Sequence, residues 1–313
     1  MFGVPPVPVA SPDVWESSSF LSQAQKTEQC RSLTLGRILF FRGGQKKTCI
    51  MDQDTIFITG AGQGIGKATA LLFARRGWYV GLSDVNLQAV EALAEEIGPE
   101  QCSVHRMDVR DVEQVQQALT AFGQRTGQRM KVLFNNAGIL FPGGFERMPL
   151  QQHHALVDIN FTGLINVTHI ALPMLKNTPG STVLSMCSAS ATYGNPELTT
   201  YAATKSAVKS LTEGWNLLFQ KHGIHVADLL PAYVRTGMVA AAKDEMQLPE
   251  RDVKLNADDI AKAAWKAVHD RRRMHHYIGF DSNLFRFCKW LLPRPVLEGI
   301  LKASFYKKAM AKN

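Results

Sequence analysis

Three side chains with complementary chemistry fall within one stretch, Ser188–Lys205, which reads SASATYGNPELTTYAATK. Tyr201 and Lys205 are four residues apart in a segment of helical character, a spacing that projects a phenol and an ammonium from one helix face. Ser188 precedes Tyr201 by thirteen residues and closes an apolar run, STVLSMCS, that predicts a strand. A tyrosine with its ordinary pKa of about 10 exchanges protons poorly at neutral pH. A neighbouring ammonium and the positive charge of an oxidised nicotinamide both favour phenolate and lower that value. A serine hydroxyl stabilises a developing alkoxide. The trio suits exchange of a hydride between a carbonyl and a nicotinamide, with Tyr201 moving the proton. Ser185 and Ser190 are less well placed for the serine's part than Ser188.

Such chemistry needs a dinucleotide site, and a glycine-rich turn offers one. The strand-like TIFIT runs directly into Thr59-Gly60-Ala61-Gly62-Gln63-Gly64-Ile65-Gly66 and then into a helical segment. Glycine allows the sharp turn, the close approach of backbone to a pyrophosphate and tight packing of helix on strand. The helix N-terminus presents N–H groups and a positive dipole to the anion. The spacing is G-x-x-x-G-x-G and lacks the Lys-Ser/Thr ending of an ATP-binding loop. Asp84 ends the second predicted strand, where a carboxylate accepts hydrogen bonds from the adenosine ribose and repels a 2′-phosphate. The turn holds no Arg or Lys before Gly66, and Arg75 and Arg76 lie at the far end of its helix. NAD is therefore expected in preference to NADP. Asp108 and Val109 end the third predicted strand, beside the adenine; the competing role for Asp108 is a cap on the helix from Val112.

The elements that carry these groups alternate regularly. Strands are predicted at Thr55–Thr59, Trp78–Ser83, 103–109, 131–138, 181–188, 225–231 and 275–280, with helical segments between them, the longest at Leu150–Leu175 and Thr199–Lys221. This order predicts an α/β fold: a Rossmann-type, doubly wound parallel sheet with helices on both faces, as one domain over residues 51–283. Apolar residues make up 45% of the chain and charged residues 20%, as in an ordinary globular protein. No apolar run free of polar residues reaches the length of a bilayer span. Five widely spaced cysteines with no CxxC predict neither a disulfide framework nor a zinc site, and no metal is expected. His153 and His154 read as helix-surface residues.

Charge is concentrated at the ends. Residues 1–50 carry +3, residues 51–283 carry −1 and residues 284–313 carry +6. A nucleic-acid protein would place its basic patch on the folded body, so no nucleic-acid partner is expected. Residues 1–50 open with four early prolines and continue rich in Ser, Gln and Thr; they read as a disordered or targeting extension. A mitochondrial presequence competes with that reading, although Asp13, Glu16 and Glu28 stand against it. Met51, just before the first strand, raises the alternative of a different start. The tail, 284–313, is a basic amphipathic segment with three readings: contact with a membrane surface, a lid over an apolar substrate, or a subunit interface. The expected location is cytoplasmic, with membrane association through this tail as an extension of that expectation and a mitochondrial one as the competitor.

Taken together, Thr59–Gly66, Asn135-Asn136-Ala137-Gly138, Ser188, Tyr201-x-x-x-Lys205 and Pro231 resemble the short-chain dehydrogenase/reductase family over roughly residues 54–280. The resemblance implies that Gly60, Gly64 and Gly66, with Gln63 and Ile65 between them, line the cofactor turn. It implies that Asn135, Asn136, Ala137 and Gly138 close the sheet against the adenosine side. It assigns Asn160, in DINFTG, to hold a water near the lysine, Ser188 to hold the substrate oxygen, and Tyr201 to act as acid/base. Lys205 would bind the nicotinamide ribose and tune the tyrosine, while Pro231, Val234 and Thr236 would touch the nicotinamide end. Ala232 stands where the family commonly has glycine. The family also implies a homodimer or homotetramer.

The substrate is expected near Ile139–Phe145, Ala189–Leu198 and the loop Gly237–Lys254, which offer Leu140, Phe141, Tyr193, Leu198, Met238 and Met246. These are mostly apolar, which points to a lipophilic alcohol or ketone such as a retinoid, steroid or fatty chain. One rival is a non-catalytic dinucleotide-binding sensor or scaffold, disfavoured by the intact Asn160, Ser188, Tyr201 and Lys205. A sugar-nucleotide epimerase or dehydratase on the same fold is disfavoured by the glycine spacing.

Overall fold

The structure is a computed structural model that describes residues 53–246 and 253–301. The chain divides into Met1–Lys47 and Thr48–Asn313; all described residues belong to the second unit, and the reading of residues 1–50 lies outside them.

A seven-stranded parallel sheet runs in the order β3-β2-β1-β4-β5-β6-β9. Its strands are β1 Thr55–Thr59, β2 Tyr79–Asp84, β3 Cys102–Arg106, β4 Val132–Asn135, β5 Thr182–Met186, β6 His225–Pro231 and β9 His275–Ile278. The short β7, Val234–Arg235, pairs in parallel with β8, Leu255–Asn256. The order reverses between β1 and β4, which opens a crevice at the carboxyl ends of these strands. Helices α1 Gly64–Arg75, α2 Leu87–Ile97, α3 Val112–Thr126, α4 Leu150–Val157, α5 Gly163–Lys176, α6 Thr199–Phe219, α7 Gly237–Met246, α8 Ala257–His269, α9 Phe280–Leu291 and α10 Arg294–Leu301 complete the described fold.

Side chains alternate across each strand and so divide between two cores. In β1, Ile56 and Ile58 enter the layer with Phe73 of α1 and Ile260 of α8. Phe57 enters the opposite layer with Phe122 of α3, Val167 of α5 and Val226 of β6. Every β1 residue is buried, as expected of a strand covered by helices on both faces. Phe73, Trp78 and Trp265 pack edge to face, with centroids 5.0 Å and 5.8 Å apart for Phe73–Trp78 and Trp78–Trp265, a favoured aromatic geometry.

Several boundaries differ from the sequence expectation. β3 ends at Arg106 because its partner ends there: Asp84↔Arg106 is the last pair of β2 and β3. Asp108 and Val109 therefore lie in the following loop. Asp111, not Asp108, caps α3, accepting from the N–H groups of Glu113 and Gln114. Residues 237–246, expected as loop, form α7. The helical run Leu150–Lys176 is long and apolar enough to cross a membrane by composition. Its inner face, including Leu156, Val167, Ala171 and Leu175, is fully buried, which makes it a core helix. The expected tail boundary at residue 284 falls inside α9.

Candidate active site

The glycine turn is held from across the crevice. Thr59 Oγ1 accepts the N–H groups of Asn136 at 3.1 Å and Ala137 at 3.0 Å. Asn136 Nδ2 donates to the carbonyls of Thr59 at 3.0 Å and Gly60 at 2.9 Å. Gly60 has φ +66°, and a Cβ there would lie 2.9 Å from Ala137 Cα. A Cβ on Gly66 would lie 2.0 Å from the Gly60 carbonyl oxygen, so α1 rests directly on the turn. No side chain caps α1 at Gln63, leaving its first N–H groups for an anion.

Asp84 is fixed by its own backbone surroundings. Its Oδ2 accepts from Gly62 N–H at 2.9 Å and its Oδ1 from Asn86 N–H at 3.0 Å. Asp108 forms an ion pair with Arg110, Nη2 to Oδ2 2.6 Å, and the hydrogen bond from Arg110 holds its carboxyl below the usual range. Asp84, Asp108 and Val109 all border a cavity of about 800 Å³ that also contains Gly60, Gln63, Gly64 and Ile65. The same cavity continues past Asn136, Ala137 and Gly138 to Ser188, Tyr201, Lys205, Pro231, Val234 and Thr236. A deep crevice with a cradle of close-approach glycines, unsatisfied helix N–H groups and a fixed carboxylate fits a nicotinamide dinucleotide.

Asn135 and Gly66, expected at the cofactor, and Asn160, expected to hold a water near the lysine, are not part of this lining. Asn135 ends β4 pointing into the core, where its Nδ2 donates to Thr168 Oγ1 at 2.9 Å. Gly66 serves the packing of α1 on the turn. Asn160 lies in a π-helical turn, Asp158–Thr162, between α4 and α5. Its Oδ1 accepts from Ile139 N–H at 2.8 Å and its Nδ2 donates to Ile139 O at 3.0 Å. It thus clamps the chain that leaves β4, and a Cβ on Gly138 would lie 3.0 Å from its Oδ1 and 3.6 Å from Lys205 Nζ.

At the other end of the cavity the expected trio meets. The Ser188 side chain lies beside the Tyr201 phenol and favours its ionised form, and its Oγ accepts the Ser190 N–H at 3.2 Å. Lys205 Nζ lies 5.6 Å from the Tyr201 ring centroid and donates to Met186 O at 2.9 Å. Burial raises the Tyr201 phenol above its ordinary value, and the Ser188 side chain pulls it back. Burial also acts on Lys205, bringing it from 10.5 to about 8. The protein's own groups therefore favour a neutral phenol. Cys187, next to Ser188, is pushed up to about 12 by burial and its thiol donates to Lys205 O at 3.2 Å, so it is an inert structural thiol.

The substrate end is walled by Leu140, Tyr193, Leu198, Met238, Ala232 and Tyr233. Phe141 is not part of the lining, and the side chain of Met246 lies outside the described residues. Lys254 also borders the cavity and is exposed. Asp281, Ser282 and Phe285 of α9 complete the wall, and Phe285 stacks on Tyr193 with centroids 4.6 Å apart and planes at 27°. Asp281, Ser282 and Tyr233 were missed, whereas Phe285 belongs to the tail for which a lid over the substrate was one of the readings. His153 is buried rather than on the surface, bonded to Thr200 Oγ1 at 2.7 Å. Among the described residues no group of three His, Cys, Asp or Glu side chains could hold a metal.

Residues 54–247 match the family model for short chain dehydrogenase. The chain is 37% identical over 187 residues to the oxidoreductase UcpA of Salmonella typhimurium, covering 59% of this chain and 70% of the relative. It is 35% identical over 219 residues to a sulfoacetaldehyde reductase of Chromohalobacter salexigens, covering 67% and 85%. A 3-ketoacyl-(acyl-carrier-protein) reductase from Brucella melitensis, complexed with NADH, superposes with a TM-score of 0.66 at 25% identity over 73% of this chain and 97% of that one. Match and geometry lead to one assignment: the chain belongs to the short-chain dehydrogenase/reductase family and is an oxidoreductase of CH–OH and carbonyl groups that works with a nicotinamide dinucleotide.

Proposed function

We propose that this enzyme interconverts a lipophilic primary or secondary alcohol with its aldehyde or ketone, prefers NAD to NADP, and uses Tyr201 as acid/base. The observation that carries the reading is one continuous cavity with Asp84 and the glycine turn at one end and Ser188, Tyr201 and Lys205 at the other. The nicotinamide, when bound, accepts or supplies the hydride. Tyr201 Oη takes the alcohol proton in oxidation and returns it in reduction. The Ser188 hydroxyl, beside the Tyr201 phenol, steadies the substrate oxygen as charge develops. Lys205, tied to Met186 O, supplies positive charge beside the phenol and a donor for the cofactor's ribose. Asn160 holds the Ile139 backbone opposite them and is a positioning residue.

The preference for NAD rests on Asp84, whose carboxylate faces the adenosine end and would repel a 2′-phosphate. Arg110, the nearby cation, is engaged by Asp108. An apolar substrate is favoured by Leu140, Leu198, Met238, Tyr193 and Phe285 around the reacting groups. Association as a homodimer or homotetramer belongs to the same reading, supported by exposed Val157, Leu217 and Leu218 on the outer helices.

The test is a panel of alcohols and carbonyls of graded chain length, followed at the reduced-nicotinamide absorbance band with NAD and with NADP. Turnover that rises with apolar chain length and favours NAD supports the reading. Cofactor binding without turnover on any member would turn it toward a dinucleotide sensor.

A further inference from the structure

Helix α9 is amphipathic with its apolar side outward. Its inner side is fixed to the enzyme: Ser282 is fully buried, Phe285 stacks on Tyr193, and Lys289 Nζ donates to Thr192 O at 2.7 Å. Its outer side carries Phe280, Leu284, Phe287, Trp290 and Leu291, all exposed, with Phe280 at 74% and Trp290 at 80%. At 3.6 residues per turn these five fall within an arc of about 120°. A helix of a globular protein normally turns such a stripe inward, and a contiguous exposed patch of this kind marks an interaction site. In α10, Val296 adds a further exposed apolar residue.

Charge identifies the occupant. Residues 284–313 carry seven basic side chains and one acidic one. That acid, Glu298, is paired with Arg294 at 2.9 Å. Within the described part of this segment, 284–301, Arg286, Lys289 and Arg294 stand against Glu298, so a second copy of the chain seated on this face would bring two segments of like net charge against one another. An anionic surface meets no such repulsion, and an aromatic, apolar helix face with basic flanks is the pattern that beds into a lipid headgroup layer. We propose that the outer face of α9 docks the enzyme on an anionic lipid bilayer. The docking stands independently of the proposed activity. Its consequence rests on the apolar-substrate reading: the helix seated on the membrane is also a wall of the pocket, so a lipophilic alcohol would pass from lipid to Tyr201 without crossing bulk water.

The experiment is co-sedimentation of the full chain with phosphatidylcholine vesicles, with and without phosphatidylserine, alongside light scattering of the protein alone. The full chain is expected to sediment with the phosphatidylserine vesicles, and less so as salt rises. The double variant Phe287→Asp/Trp290→Asp is expected to lose at least about tenfold in bound fraction, with unchanged mass and unchanged stabilisation by NAD in a thermal melt. A neutral pair, Leu284→Gln/Trp290→Gln, repeats the test should the first variant melt early. Absence of phosphatidylserine-dependent sedimentation by the full chain overturns the proposal. So does a folded variant that binds vesicles like the wild type, or one whose mass falls by half, which would give the face to a second copy. None of these outcomes depends on finding the substrate.

Discussion

Lys205 Nζ donates a 2.9 Å hydrogen bond to the carbonyl of Met186, the last residue of β5 and two positions before Ser188. One bond thus ties α6, which carries the phenol, to the strand end that carries the hydroxyl. It also keeps the lysine buried, and burial brings its pKa from 10.5 to about 8.

That shift gives a pH prediction. The unfolded chain holds the lysine proton up to about 10.5, and the folded one releases it at about 8. Between those values the unfolded state binds more protons, so the Lys205 contribution to stability rises with pH. It is greatest above 10.5 and is lost as pH falls through about 8. Thermal melts of wild type and Lys205→Met should show the wild type gaining on the variant from pH 8 to pH 9.5. A constant difference across that range would refute the buried-lysine account.

Tyr201→Phe removes the proton carrier while keeping the ring. We expect kcat to fall by about 10²- to 10⁴-fold, with cofactor affinity, measured by fluorescence titration, within a factor of about two because the phenol is not among the anchors of the adenosine half. Ser188→Ala should cost about 10²-fold. Equal turnover in wild type and Tyr201→Phe would remove the tyrosine from the mechanism.

Asp84→Ala removes both acceptors for the Gly62 and Asn86 N–H groups. The ratio of kcat/KM for NAD over NADP should fall by about tenfold or more, since each 1.4 kcal/mol of lost repulsion or lost hydrogen bonding is a factor of ten. Should wild type already favour NADP, the assigned role of Asp84 is wrong.

Asn160→Ala leaves the Ile139 N–H and carbonyl without their side-chain partner. Loss of a largely buried pair of this kind is expected to cost about 1–3 kcal/mol in a denaturant titration. Asn160→Asp should recover the bond from the N–H and only part of the stability.

Much of this was legible because its cause is local. The glycine turn could be read from sequence since sterics at Gly60 and Gly66 admit no side chain, and Tyr201 and Lys205 since a helix fixes the geometry of residues four apart. What was missed depends on partners distant in the chain. The end of β3 is set by the length of β2. Asn135 turned out to be a core ligand of Thr168 rather than a lining residue because β4 alternates its faces. His153 owes its burial to Thr200, on a different helix. The desolvation that raises Tyr201 and lowers Lys205 likewise depends on walls contributed by distant parts of the chain. For α9, periodicity alone left a membrane surface, a lid and a subunit interface open, because it marks an apolar side without saying what that side faces; the apolar side is the one turned outward.

The contact of Phe285 with Tyr193 and of Lys289 with Thr192 makes the C-terminal helix a structural member of the substrate chamber. Clipping the chain anywhere before Phe280 would therefore unroof the chamber as well as strip off the exposed aromatic face. Any shortened form meant to probe the exposed face must therefore keep α9, or a change in substrate acceptance will accompany the loss of that face.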